Sequence, residues 1–340
     1  MTRKPLPLAL LPLLAFALLP ACSSAPGGSG IKDPELMTEE QRKEHEAQQQ
    51  RDFNAVLIKL DQAMASYVQA LARQGDPHAD KQVARLGSLL TETVVDERKT
   101  IAHAVGDQRE LTGHGENYIR LKALAGEGGH AVGSGEAYNQ AIALAALGFS
   151  GRSEVMPLIA QGAMSDDPLL VDRAVLGLAV LRAPDTQPGI LAAVVEDVNH
   201  NEEGRVQAAW ALHELQSAKS DTTEIVKLWR RFLTTEKDRM PAGVLVQAVR
   251  GLGLTADAQH ADLVTEYLQH PTPRVRMAAA IALGRMNAQD HWTDLLALLE
   301  PSEKSQNVRL HARKSLAALA GNKDYGYDVD AWRKVFDRGQ

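Results

Sequence analysis

The chain contains one cysteine, Cys22, in 340 residues. A lone thiol cannot close an internal disulfide, so packing alone must hold the fold. Aromatic residues make up only 4% of the sequence and runs that alternate apolar with polar residues are scarce, which argues against a β-rich domain. The arrangements that usually carry chemistry are also missing. There is no H-E-x-x-H pair, no histidines at i and i+4, no G-x-S-x-G elbow and no G-x-x-x-x-G-K-[ST] loop. The eleven histidines therefore read as scattered surface or cap residues, with no metal and no cofactor expected. Positive charge is in deficit too. A formal net charge of −6 argues against nucleic acid as a partner and against electrostatic adhesion to anionic lipid.

What is present begins with MTRKPLPLALLPLLAFALLPA, a basic start at Arg3 and Lys4 followed by an apolar run broken by Pro5, Pro7 and Pro12. A spanning helix needs about 20 uninterrupted apolar residues. This run is shorter and proline-rich, and it reads as an export signal over residues 1–21. By itself it leaves open an ordinary secretory signal with a free thiol left behind. With Leu19-Pro20-Ala21-Cys22 at its end, it resembles the lipobox of bacterial lipoproteins. The resemblance implies cleavage before Cys22, a diacylglycerol thioether on its sulfur, and a membrane partnership through that lipid. Ser23, rather than Asp, follows the cysteine, which by the same resemblance implies the outer membrane, with the body facing the periplasm. Losing Arg3 and Lys4 with the signal takes the formal charge from −6 to −8. Residues 22–52 open with Gly, Ser and Pro and continue nearly all polar. They are expected to form a flexible tether that turns helical toward its end.

Helical periodicity starts at Phe53 and continues through Val56, Leu57, Leu60 and Met64, then through Val83, Leu86, Leu90 and Val94 past Asp76-Pro77. Residues 53–128 are therefore read as an N-terminal helical region, with 97–107 in degenerate repeat form. Beyond them one pattern recurs. RVRMAAAIALGRM (274–286) returns, degenerate, at 138–150, 171–183, 204–216, 244–256 and 307–319, with marker leucines Leu147, Leu178, Leu212, Leu252, Leu283 and Leu316. The spacings of 31, 34, 40, 31 and 33 residues, with a second apolar helix after each unit, predict an all-α solenoid of helix pairs over 129–340. Val275-Arg276 and Val308-Arg309, ahead of the Ala-rich ending, resemble HEAT repeats of the phycobilisome-lyase type. The segment 324–336, with Trp332 and Phe336 at i and i+4, reads as part of a C-terminal cap from about 321.

DVNHNEEG (197–204) begins like a calcium loop at Asp197, Asn199 and Asn201. It then departs from the pattern at Glu202 and Ala208, and reads as an inter-repeat turn. The Gly-rich segment 126–137 lacks a phosphate-loop context and is expected to be a loop. Binding candidates come from the second helices, which the resemblance places on the concave side. Subtracting their apolar stripes leaves Lys227, Arg230 and Arg231 in one repeat, Glu196 and Asp197 before it, and Thr265, Glu266 and Gln269 after it. A basic row between acidic ones suits a peptide or helix. The expected function is a lipid-anchored envelope scaffold or adaptor for a protein or peptide partner, without enzymatic activity. Cell-wall glycan binding and a lyase-like activity are the alternatives.

Overall fold

The computed structural model describes residues 37–73, 77–96, 115–126 and 135–337. The signal segment and Cys22, the 97–107 stretch and most of the Gly-rich segment lie outside these residues. Two compact units divide the chain, Met1–Arg51 and Asp52–Gln340. In the first, residues 39–51 begin helix α1 (Glu39–Leu71) with every side chain exposed, and a Lys43–Glu39 pair at 2.9 Å bridges one turn. Helix thus starts at Glu39, well before the end of the expected tether.

In the second unit α1 buries Phe53, Leu57, Leu60 and Met64, the stripe its periodicity marks, while Val68 is exposed. Helices α2 (Pro77–Val95) and α3 (Glu116–Gly126) follow. Arg120 of α3 lies over the Phe53 ring, 4.5 Å from its centroid. After them come six helix pairs. Their first helices are α4 (Gly135–Gly148), α6 (Pro168–Leu181), α8 (Glu202–Ala218), α10 (Ala242–Leu254), α12 (Pro273–Arg285) and α14 (Gln306–Leu319). The second helices are α5 (Met156–Gly162), α7 (Pro188–Glu196), α9 (Thr223–Leu233), α11 (Ala261–Thr265), α13 (Trp292–Ala297) and α15 (Val329–Asp337). No strand occurs among the described residues, and each first helix packs on the next, as an α-solenoid requires.

Local chemistry sets the ends of these helices. Pro168, Pro188 and Pro273 open three of them, where a missing N–H costs nothing. Asp167, Asn201 and Ser305 cap α6, α8 and α14 by accepting from backbone N–H groups two or three residues on. Asn201 bonds Gly204 N at 2.7 Å and Asp197 bonds Asn199 N at 2.9 Å, so the calcium-like segment is a capped turn between repeats.

All six marker leucines are buried, the most exposed at 3%. The first helices approach one another through small residues: a Cβ added at Gly148 would sit 2.6 Å from Gly177 Cα, and one at Gly253 2.8 Å from the Ala282 Cβ. Where the marker spacing stretches to 40, between α8 and α10, His213 stands in the register position of Gly148, Gly253 and Gly284. There the seam is polar. The Trp229 indole donates to Gln216 Oε1 at 2.8 Å and Gln216 donates to Gly251 O at 2.9 Å. The last pair closes the stack. Phe336 stacks on Trp292 of α13 with centroids 5.0 Å apart, and Trp332 is fully buried, donating to Gly326 O at 3.0 Å. Trp229 is fully buried, whereas Trp292 is half-buried at this closing contact.

Close backbone contact makes a prediction. Gly148→Val should destabilise by about 1–3 kcal/mol or more, because the obstacle is backbone that has no rotamer to change. Gly189→Ala, with nothing within 4 Å of the new Cβ, should be neutral or stabilising by up to about 1 kcal/mol. Urea melts of the two variants check both signs.

Candidate functional site

The residues expected to face a partner do lie on or beside the second helices. Lys227, Arg230 and Arg231 are exposed on α9, Glu196 ends α7, Asp197 follows it, and Thr265 ends α11. Glu266 and Gln269 lie in the 3-10 turn Glu266–Gln269 that follows. The structure joins Arg231 to Glu196 in an ion pair across the repeat boundary, both partly exposed. Arg230 lies 3.2 Å from His260 Nδ1, and burial followed by the Arg230 charge hold that imidazole below its usual pKa, so it accepts as the neutral form. Thr265 meets Ala261 O at 2.9 Å and His291 at 3.1 Å, and His291 in turn reaches Asp262 at 3.1 Å. The basic row between acidic rows is therefore largely satisfied within the chain as a ladder of struts between repeats. Lys227, Glu266 and Gln269 remain outward, and Asp197 is engaged in its own turn.

A second polar register ties the first helices to their neighbours. Seven residues before the marker leucine, Gln140 donates to Ala125 O at 3.1 Å, Arg205 to Val195 O at 2.8 Å, and Arg276 to His270 O at 2.8 Å. Each satisfies a carbonyl that a preceding helix or turn leaves open. Arg276 also grips Glu303 of the next repeat through two bonds, at 2.7 and 2.8 Å. The arginine of the Val-Arg motif is thus a staple between repeats. Its counterpart Arg309 forms no salt bridge among the described residues and lies 5.0 Å from the centroid of the Tyr327 ring.

The other face of the first-helix layer is the one the sequence did not single out. Over α4 and α6 it is covered by α1: Asp61 accepts from the Tyr138 hydroxyl at 2.6 Å and pairs with Arg173 at 2.8 Å, and Tyr67 meets the Phe149 ring edge-on at 5.2 Å. The second helices pack on the opposite side, as the approach of Gly162 in α5 to Leu144 and Ala174 shows. Along the α1 side, the residue two before each marker is buried in the first two pairs, Ala145 at 0% and Leu176 at 3%. In the later pairs it is Trp210, Arg250, Ile281 and Lys314, each half-buried or exposed. Aligning the repeats on the leucines gives this column directly; reading the second helices alone missed it.

Charge on this side is lopsided. Glu214 pairs with Arg182, and although burial opposes ionisation, His213, Arg182 and Trp210 outweigh it and keep the carboxyl below its usual range. Among the described residues Arg250 makes no hydrogen bond or salt bridge; burial first, then the neighbouring Arg285 guanidinium, lower its pKa, while Glu214 pulls the other way. His213 is 7% exposed, its Nδ1 lies 3.8 Å from Glu214 Oε1, and neither ring nitrogen nor the buried Gln247 Oε1 makes a hydrogen bond among the described residues. Among the described residues no group of three or more His, Cys, Asp or Glu is placed to hold a metal, and no helix is long and apolar enough to cross a membrane.

A family model for HEAT repeats matches residues 232–317, from the end of α9 into α14. A search of curated proteins finds no match. Among solved structures, the complex of CpcE and CpcF of phycocyanin lyase from Nostoc sp. PCC7120 is similar at 15% identity, covering 94% of this chain and 99% of that chain, with a TM-score of 0.38.

The Arg276–Glu303 staple should be visible in the pH dependence of stability. Hydrogen bonding from Arg276 holds the Glu303 carboxyl below its usual pKa. A depressed folded pKa contributes stability that is present above the unfolded value, about 4.3, and is lost as pH falls through the folded value. Thermal melts should show wild type ahead of Glu303→Gln near neutrality, with the gap closing below about pH 4. A gap that persists unchanged in acid would assign the effect to packing rather than charge.

Proposed function

We propose that this protein is a lipid-anchored adaptor of the bacterial cell envelope, tethered through Cys22 and holding a protein partner on its helix-pair stack. One observation carries the binding half of the reading. Among the described residues, the first-helix face that α1 covers over α4 and α6 continues over α8, α10, α12 and α14 with apolar and cationic side chains half-buried or exposed along it. A solenoid with such a face serves as an interaction surface, and the polar chemistry of the rest of the stack is spent on joining repeats. The anchoring half rests on the lipobox-like Leu19-Pro20-Ala21-Cys22. Several acyl chains on one residue make attachment effectively permanent.

Two measurements test the proposal. Metabolic labelling with a fatty-acid analogue should mark wild type and leave Cys22→Ala unlabelled and released from membranes; an unlabelled wild type overturns the anchor. Crosslinking in intact cells with a photoreactive residue at Ile281 should give one discrete protein adduct, whereas the same residue at Lys227 should give none. Retention on purified peptidoglycan without a protein adduct would move the function to glycan binding.

A further inference from the structure

We propose that the open face over α10 and α12 receives an amphipathic α-helix of the partner, apolar on one side and acidic where it meets Arg250 and Arg285. This rests on the adaptor reading and names the kind of partner it requires.

The shape of the occupant follows from α1. That helix lies over α4 and α6 on this same side, with Asp61 near the start of both helices at Tyr138 and Arg173 and Tyr67 against Phe149 just past the end of α4. Beneath it the register positions hold the buried Ala141, Ala145 and Leu176 and the half-buried Asp172, which is bonded to His200 and Asn201. The stack repeats with nearly the same geometry, so α10 and α12 offer a furrow of the same form. Here Val246, Met277 and Ile281 on the two helices are half-buried, and the hydrogen bond, ion pair and ring contact of α1 with this layer go to Tyr138, Arg173 and Phe149. Apolar residues at successive register positions of two neighbouring helices match the i, i+3, i+4 face of a helix laid between them.

Charge gives the sign of the occupant. Arg250 and Arg285, with Lys314 on the next repeat, form a cationic edge in which none forms a salt bridge among the described residues. No acidic residue occupies the matching positions of α10, α12 or α14, and Glu214, the nearest, is paired with Arg182. Arg250 is half-buried beside another cation, an arrangement unfavourable for the free protein and relieved by a carboxylate arriving from outside. The opposite face offers no such opening, since Arg231 and Arg230 already have Glu196 and His260.

The test uses the full mature chain and two fluorescent peptides built on residues 52–71 of this protein. One carries Glu at positions 62, 66 and 69, and the other carries Lys there. The acidic peptide should bind wild type and the basic one should not. Arg285→Glu with Lys314→Glu, both exposed, should weaken the acidic peptide by about tenfold or more with an unchanged helical melt. Arg230→Glu with Arg231→Glu should leave it unchanged. Equal binding of both peptides, or binding indifferent to the 285/314 pair, overturns the proposal; the latter would place the peptide on the α1 site. Sedimentation decides against it in another way, if wild type dimerises and the 285/314 variant does not, since the occupant would then be a second copy. Peptide binding that obeys these rules while cells yield no adduct at Ile281 removes the adaptor reading and leaves the surface intact.

Discussion

The stack depends on how near one first helix can come to the next. Helices ordinarily pack with axes about 8–10 Å apart, set by the side chains between them. Gly148 against Gly177, and Gly253 against Ala282, remove those side chains and bring backbone to backbone. Everything else follows from this spacing. The period of the repeat, the burial of the marker leucines and the alignment of polar positions into columns all require that each pair be set against its neighbour in the same way. A single pair could bury neither face, so stability is a property of the seams.

The seams are not equivalent. Between α8 and α10 His213 replaces the glycine, the spacing in sequence lengthens, and a chain of bonds from Trp229 through Gln216 to Gly251 takes over from close packing. Buried polar groups without partners collect beside it, at His213 and Gln247. A satisfied polar seam specifies geometry, whereas an incompletely satisfied one is strained and open to a ligand. The uncovered side of the first-helix layer, where Trp210 and Arg250 succeed Ala145 and Leu176, begins at this same place.

Two faces of one stack thus have different tasks. On the second-helix side, polar groups are joined across repeats, Arg231 to Glu196 and His291 to Asp262, and the residues act as struts. Exposed pairs of this kind each contribute about 0–1 kcal/mol, so they fix register more than they add stability. On the first-helix side, the cations of the later repeats are left without acids. The contrast lies in partnership rather than in composition.

The architecture was legible because repetition is a one-dimensional signal. The spacing of Leu147, Leu178, Leu212, Leu252, Leu283 and Leu316 reports helix pairs without knowledge of any contact. The stripe from Phe53 to Met64, the turn character of 197–204 and the closing role of Trp332 and Phe336 were readable for the same reason, since each depends on neighbours within a few residues. What the sequence could not show is which charges are already answered. Arg231 and Arg250 look alike in the chain, yet Glu196, 35 residues away, pairs with the first, while among the described residues the second forms no salt bridge and feels Glu214 only at a distance. Nor could periodicity reveal that α1 lies along the first helices and ends after two pairs. Local pattern determined the elements and their repeat; only the folded stack, by bringing distant residues into contact or leaving them apart, decided which surface remains open.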